Sequence, residues 1–218
     1  MKNHMPSHRR GPVQWMLVGT LLFALAVAAG LVAWHVVLKD RLIPKRWGVV
    51  EEGAIFRSGR LPPSLLKKML CRHNIICIVD LTFPDHAVAA QQAEKKIAGE
   101  LGIQYFNYPL YGSGIGDVWN YAHALAVMAN AKKENQPVLV HCAAGTQRTG
   151  GVVAAYRVLL EKSPPVVAYA ELIQYGWNPN ENQILLEFLN SRMAELAARL
   201  LEMQLIDSIP NPLPVIGP

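Results

Sequence analysis

The sequence predicts a single α/β domain with a central, mostly parallel sheet of four to five strands flanked by helices, preceded by one transmembrane helix. Two observations lead to this prediction. From residue 47 onward, short apolar runs rich in β-branched residues alternate with longer segments of helical periodicity, as in domains that pack helices on a parallel sheet. Before them, residues 15–38 form an apolar run of 24 residues without Asp, Glu, Lys or Arg.

The apolar run is long enough to cross a bilayer as a helix. At about 1.5 Å per residue it spans the roughly 30 Å of a hydrocarbon core, and Trp15 and Trp34 lie where interfacial anchors are expected. A cleavable signal peptide is the alternative, because segment 1–14 is basic and the small residues at 24–28 offer cleavage sites. The apolar run continues ten residues past Ala28, which favours a retained anchor.

The domain elements are expected in an alternating order. Strand signals lie at 54–56, 75–81, 104–109 and 137–141, and helix signals lie at 63–71, 87–101, 118–132, 150–160, 166–175 and 182–204. The helix at 150–160 is apolar on nearly all sides, so it is expected at the centre of the domain. The last ten residues contain four prolines and predict no regular structure.

These signals divide the chain into five segments. They are a basic N-terminal segment (1–14), a transmembrane helix (15–38), a linker (39–50), the α/β domain (51–204) and a proline-rich tail (205–218). No internal repeat divides the domain, which is long enough to bury one full core.

The charge distribution argues against nucleic-acid binding. The chain carries a formal net charge of +5, but seven of its 21 Lys and Arg residues and only one of its 16 Asp and Glu residues precede Trp47. The rest of the chain has a net charge of −1, so the excess of positive charge belongs to the flanks of the apolar run. No basic stripe for DNA or RNA remains in the domain.

The segment 141–150, His-Cys-Ala-Ala-Gly-Thr-Gln-Arg-Thr-Gly, places a cysteine and an arginine six positions apart between a predicted strand and a predicted helix. Backbone N–H groups at the start of a helix lack internal partners and attract anions, and an arginine can clamp two phosphate oxygens. The segment therefore predicts a phosphate pocket. Its expected phosphate-binding residues are Ala143, Ala144, Gly145, Thr146, Gln147 and Arg148.

Cys142 is the predicted nucleophile of this pocket. A thiolate near a helix N-terminus and a cation is stabilised relative to the thiol, so both the loop and Arg148 are expected to lower the pKa of Cys142. His141 is expected to support the loop through hydrogen bonds of its ring. The Thr149 hydroxyl is expected to donate to the sulfur when the sulfur leaves as an anion.

The segment resembles the signature His-Cys-x-x-Gly-x-x-Arg-Thr-Gly of the cysteine-dependent protein tyrosine and dual-specificity phosphatases. Residues 54–62 and 76–81 also resemble the opening segments of compact bacterial and atypical dual-specificity phosphatases, and the likeness covers about residues 50–190. The resemblance implies a dual-specificity-phosphatase-like fold and a cysteinyl-phosphate intermediate, with no metal and no cofactor. A phosphate-binding protein that has lost the chemistry is the alternative.

The general acid is less clearly marked than the nucleophile. The resemblance implies an aspartate on a loop upstream of the cysteine, and Asp117, which ends a glycine-rich segment 25 residues before Cys142, is the best candidate. Asp117 also precedes a helical pattern, so an N-cap is an equal alternative. Asp85 is the second candidate for the acid.

The predicted substrate carries a single phosphate. The loop residues between Cys142 and Arg148 are neutral, whereas phosphatases acting on multiply phosphorylated inositols commonly carry basic residues there. A phosphorylated protein with phosphotyrosine, or with phosphoserine or phosphothreonine, is therefore expected. An inositol phosphate or another small phosphoester is the alternative.

Membrane orientation follows from the basic flanks. Basic residues lie on both sides of segment 15–38, and a short basic N-terminus before a first span usually stays in the cytoplasm. We therefore expect a single-pass protein of a bacterial inner membrane with its domain on the periplasmic side. A cytosolic domain is the alternative.

Four further residues of the domain are candidates for supporting roles. Cys71 and Cys77 are interpreted as small core residues, and reversible pairing of either with Cys142 is a regulatory hypothesis. Arg57 and Arg60 are expected to brace loops near the pocket or to contact substrate, with structural salt bridges as the alternative, and no catalytic role is assigned to them.

Overall fold

The computed structural model describes residues 12–34, 39–84 and 88–218, and the chain divides into two units, one ending at Ile43 and one beginning at Pro44. The first unit contains α1 (Pro12–Ala33) and α2 (Lys39–Leu42). Within the described residues, α1 is the one helix that is long and apolar enough to cross a membrane, with a mean hydropathy of 2.3 over Trp15–Val32. An N-terminal signal sequence has the same properties, and residues 35–38 of the predicted span lie outside the described part.

The second unit alternates strands and helices. Its strands are β1 (Gly48–Glu51), β2 (Ile55–Gly59), β3 (Cys77–Asp80), β4 (Gln104–Asn107) and β5 (Val138–Cys142). Its helices are α3 (Pro63–Arg72), α4 (Ala89–Glu100), α5 (Val118–Glu134), α6 (Gln147–Leu159), α7 (Pro165–Gln174) and α8 (Ile184–Glu202).

The five strands form one mixed sheet in the order β1-β2-β5-β3-β4. β2, β5, β3 and β4 are parallel, and β1 pairs antiparallel with β2. The predicted mostly parallel sheet is therefore confirmed, with β5 at its centre. Since parallel strands end at the same edge, Gly59, Asp80 and Cys142 all lie at the carboxyl edge of the sheet.

Helices cover both faces of the sheet because successive apolar side chains of each strand point to opposite faces. Leu139 and Ile78 pack with α3 and Ala98 of α4 on one face. Val138, Val140 and Val79 pack with α5, α6 and α8 on the other face. Residues from Val152 to Leu159 of α6 are nearly all buried, which confirms the expectation that this helix lies in the core.

The structure differs from the sequence-based predictions at several places. α6 begins at Gln147, not at residue 150, because the loop turns into the helix within the signature itself. The sequence did not predict β1, and the second unit begins at Pro44, before residue 51. Residues 205–218 contain no helix or strand, as predicted, but Ile216 is buried. The N–H of Ile216 donates to the side chain of Asn190, and the carbonyl oxygen of Ile216 accepts from it.

The structure does not support disulfide pairing of Cys142 with Cys77. Cys77 pairs with Val138 in the β3–β5 ladder, four residues before Cys142, which corresponds to about 13 Å along the strand. Disulfides require Cα atoms within about 7 Å. Cys71 is exposed near the end of α3, which corrects its interpretation as a core residue, whereas Cys77 is buried, and burial raises its pKa to about 12.

Candidate active site

The signature forms a tight loop between the end of β5 and the first turn of α6. Cys142 is buried, with 1% of its surface exposed, and its Sγ accepts a hydrogen bond from the backbone N–H of Gly145 at 3.1 Å. Gly145 has φ +80°, and a Cβ at this position would lie 2.5 Å from the backbone nitrogen of Gly59. Only glycine therefore allows the loop to turn this closely against the end of β2.

Three successive carbonyl groups of the loop accept hydrogen bonds from three arginine residues, one near the start of the second unit, one in β2 and one directly after β2. The bonds are Arg60 N to Ala143 O at 3.2 Å, Arg46 Nη1 to Ala144 O at 3.0 Å, and Arg57 Nη2 to Gly145 O at 3.1 Å. In a trans peptide the N–H points opposite to the carbonyl, so these bonds turn the following N–H groups away from the arginines. Consecutive N–H groups turned to one side form a cradle for an anion.

The site favours the thiolate form of Cys142. Burial alone raises the pKa of this thiol, but the hydroxyl and backbone of Thr149, the charge of Arg148 and the N–H of Gly145 outweigh it, so the pKa is lowered. The Thr149 hydroxyl is fully buried, and in the described structure it makes no hydrogen bond of standard geometry. It is therefore available to donate to the sulfur.

Arg148 lies in the first turn of α6, where the sequence predicted a phosphate clamp. Its side chain is partly exposed, and its Nε is buried without a hydrogen-bond partner among the described residues. Of the other predicted loop residues, Thr146 is buried, Ala144 and Gln147 are partly exposed and Ala143 is exposed. The structure thus brings the predicted loop residues into one turn around Cys142.

Arg57 is a fully buried cation beneath the loop. Besides Gly145, it contacts Glu171 at 3.2 Å, and its guanidinium lies 3.7 Å from the ring centroid of Tyr175. Burial lowers the pKa of Arg57, while Glu171 and the other neighbours oppose that effect. Arg57 therefore both braces the loop and forms a salt bridge, two of the roles considered for it, and it adds positive charge near Cys142.

A buried ionic network lies next to His141. His141 Nε2 is 2.9 Å from Glu94 Oε1, and Arg60 contacts Asp80 at 3.4 Å and Glu94 at 3.7 Å. Asp80 also accepts hydrogen bonds from the side chains of Thr82, Gln91 and Tyr105. Ligand atoms of Asp80, Glu94 and His141 lie within 4.8 Å of one another, as in metal sites. However, Arg60 and a protonated His141 balance both carboxylates, so the group is better described as an ion-pair network.

Asp117 caps α5. Its Oδ1 accepts the backbone N–H of Trp119 at 2.9 Å, and its side chain is exposed. Asp117 ends a loop that packs against the start of α6. Gly114 of this loop lies so near that a Cβ on it would be 3.1 Å from Gln147 O. Asp85, the second candidate for the acid, lies outside the described residues.

Comparison with known proteins places the chain in a family. The model of the family described as "DSP-PTPase phosphatase fused to NAD+ Kinase" matches residues 30–183, which is more than half of the chain. The chain belongs to this phosphatase family. A search of curated proteins finds none that matches it.

Solved structures share the fold of this DSP-PTPase domain. P. aeruginosa TpbA has 19% identity and a TM-score of 0.57, covering 73% of this chain and 91% of TpbA. The catalytic core of the S. cerevisiae PP-IP phosphatase Siw14 has 19% identity and a TM-score of 0.58, covering 75% of this chain and 95% of Siw14. PTPMT1 has 16% identity and a TM-score of 0.52, covering 72% of this chain and 99% of PTPMT1.

Two site residues of this phosphatase were not singled out in the sequence. Arg46 belongs to the predicted linker, and its contact at Ala144 joins residues 98 positions apart. Glu94 lies on a predicted amphipathic helix, where a glutamate is normally exposed, yet it is buried beside His141. No local sequence signal identifies such long-range contacts.

Proposed function

We propose that this protein is a membrane-anchored phosphoester hydrolase, a protein tyrosine or dual-specificity phosphatase that acts through a cysteinyl-phosphate intermediate. The single observation that carries the proposal is the position of Cys142 Sγ, which accepts the N–H of Gly145 at the N-terminus of α6 and interacts with Arg148. A lowered thiol pKa and an anion cradle at one point are the two requirements of a phosphate-transferring cysteine.

In the first step, the Cys142 thiolate attacks phosphorus in line with the leaving oxygen. The Sγ–P bond forms and the P–O bond to the leaving group breaks, while the carboxyl of Asp117 donates its proton to the departing oxygen. Arg148 and the loop N–H groups bind the three equatorial oxygens, whose charge is spread in the transition state. His141, held protonated by Glu94, supports the residue before the nucleophile.

In the second step, water attacks phosphorus and the Asp117 carboxylate takes one of its protons. The Sγ–P bond breaks, and its electron pair returns to sulfur as the thiolate. The buried hydroxyl of Thr149 donates to this sulfur and lowers the barrier to its departure. Phosphate leaves with the enzyme restored, and no step calls for a metal or a cofactor.

A phosphorylated protein is the proposed substrate, and a small phosphoester such as an inositol phosphate is the second candidate. TpbA is a neighbour with a structure in complex with pTyr, which supports the first, and Siw14 is a PP-IP phosphatase, which supports the second. The neutral residues between Cys142 and Arg148 favour a substrate with a single phosphate. The exposed side chain of Arg46 beside Ala144 adds a second cation to that of Arg148, which favours a substrate with further negative charge.

Hydrolysis assays test this proposal. We expect the full chain in detergent to hydrolyse p-nitrophenyl phosphate, to be inhibited by vanadate and to be unaffected by EDTA. A panel of phosphotyrosine, phosphoserine and inositol phosphate substrates then separates the two substrate classes by kcat/KM. Absence of any hydrolysis, with vanadate still bound, would instead indicate an inactive phosphate-binding protein.

We further propose that segment 15–38, which contains most of α1, is retained as a membrane anchor, and that the domain lies on the periplasmic side of a bacterial inner membrane. The exposed apolar surface of α1 supports the anchor, since Leu21, Leu22 and Phe23 are more than 60% exposed. Carbonate washing of membranes should leave the protein in the pellet, and protease added to spheroplasts should digest the domain. Release of the protein, or protection of the domain, would contradict the anchor or the orientation respectively.

A further inference from the structure

The peptide bond between Ala144 and Gly145 is held at both ends. Arg46 Nη1 donates to its carbonyl oxygen at 3.0 Å, and its N–H donates to Cys142 Sγ at 3.1 Å. A peptide is planar, so a bond that fixes the carbonyl also fixes the direction of the N–H. We propose that Arg46 is a positioning residue, whose guanidinium holds this peptide with its N–H directed at the sulfur of Cys142.

The backbone around Arg46 is fixed close to the loop. The carbonyl oxygen of Lys45 accepts the N–H of Gly59 at 2.7 Å, and a Cβ on Gly59 would lie 2.7 Å from Ala144 O and 3.0 Å from Lys45 Cδ. A Cβ on Gly176 would lie 3.1 Å from Arg46 Nε, so this second glycine also leaves room for the guanidinium. The middle of the predicted linker is thus packed against the loop that follows Cys142.

Arg46 differs from the other two arginines that bond the loop. Arg57 is paired with Glu171, and Arg60 is paired with Asp80, whereas no carboxylate of the described residues lies within ion-pair distance of Arg46. Its charge is therefore not neutralised by a carboxylate. A cation bound to a carbonyl polarises the whole peptide, which makes the N–H at its other end a stronger donor to the sulfur.

The other groups that face Cys142 do not depend on Arg46. Arg148 and Arg57 supply positive charge, Tyr121 interacts with the sulfur electrostatically, and His141 adjoins it in sequence. Arg46 itself is exposed and the domain core does not contain it, so its replacement leaves these groups in place. A change in the reactivity of Cys142 in an Arg46 variant therefore reports a change in the orientation of the Ala144–Gly145 peptide.

Alkylation of Cys142 by iodoacetamide as a function of pH tests the role of Arg46. The proposal rests on the nucleophilic role of Cys142, but alkylation needs no turnover, so its outcome does not depend on whether the protein hydrolyses phosphoesters. In the full chain, Arg46→Ala should lower the alkylation rate of Cys142 at about pH 6 by roughly three- to ten-fold, because less thiolate is present. Exposed Cys71, followed by mass spectrometry in the same sample, is the internal reference.

Two variants separate positioning from a general loss of structure. Arg46→Lys retains a charged donor and should recover most of the alkylation rate. Arg192→Ala, at an exposed arginine of α8, should match the wild type. In Gly59→Ala the new Cβ would displace the carbonyl of Ala144 while Arg46 is retained, so this variant should also slow alkylation of Cys142. A wild-type alkylation profile in folded Arg46→Ala would overturn the proposal, as would a loss that Arg46→Lys shares in full.

Discussion

His141 Nε2 lies 2.9 Å from Glu94 Oε1, and the two side chains are almost completely buried. Burial opposes a charge on the imidazole, but Glu94 and then Asp80 outweigh that effect and raise the pKa of His141 to about 9. The histidine of the signature is therefore a cation at neutral pH. It ties the residue before the nucleophile to α4 and is not available as a general base.

The His141–Glu94 pair predicts a pH dependence of stability. Because the folded pKa of about 9 exceeds the unfolded value of 6.5, the pair stabilises the fold fully below pH 6.5, and this contribution is lost as the pH rises through 9. The loss is of the order of 3 kcal/mol. The free energy of unfolding in urea, measured between pH 6 and pH 10 with and without Glu94→Gln, gives the contribution of the pair. Both proteins carry Cys142→Ser, so that titration of Cys142 does not add to the pH dependence. Parallel stability curves for the two proteins would contradict the pairing.

Asp117→Asn separates the two roles of Asp117. Asparagine caps helices about as well as aspartate, so the hydrogen bond to Trp119 and the free energy of unfolding should be kept. Loss of the general acid should nevertheless lower kcat by about two to four orders of magnitude. The loss should be smaller for p-nitrophenyl phosphate than for an alkyl phosphate, because nitrophenolate leaves without a proton. An unchanged kcat on both substrates would leave Asp117 as a cap only.

Gly145→Ala tests the shape of the loop. The new Cβ would meet the backbone of Gly59 at 2.5 Å in a positive-φ conformation, so the loop must shift and the N–H bond to Cys142 is lost. We expect kcat/KM to fall by about 100-fold or more, as when an oxyanion donor is removed. Gly53→Ala is the matched control, because Gly53 also has positive φ but its Cβ would meet nothing within 4 Å. Equal activity of the two variants would contradict this account of the loop.

The sequence predicts the parts of the fold and site that depend on local patterns. The apolar runs of β3 and β5 predict buried strands, and the strand–loop–helix context of Cys142 predicts its position at the carboxyl end of the central strand. Residues that act through long-range contacts are not predicted. Arg46 and Glu94 are ordinary linker and helix residues until the fold brings them to Ala144 and His141.

Asp117 shows a different limit of sequence-based prediction. A carboxylate before a helix fits both a cap and a general acid, since each role needs an exposed loop aspartate at that point. The structure demonstrates the cap through the bond to Trp119, and the same geometry leaves the second carboxylate oxygen available for a proton. Only kinetics on substrates with different leaving groups separates the two roles.

Trapping of the phosphoenzyme tests the central claim most directly. The full chain is mixed with an aryl phosphate and quenched within milliseconds, and the peptide that contains Cys142 is analysed by mass spectrometry. The account predicts one phosphate on Cys142, with faster accumulation than turnover, and neither phosphate nor hydrolysis in Cys142→Ser. Hydrolysis by Cys142→Ser at the wild-type rate, or phosphate found on another residue, would contradict it.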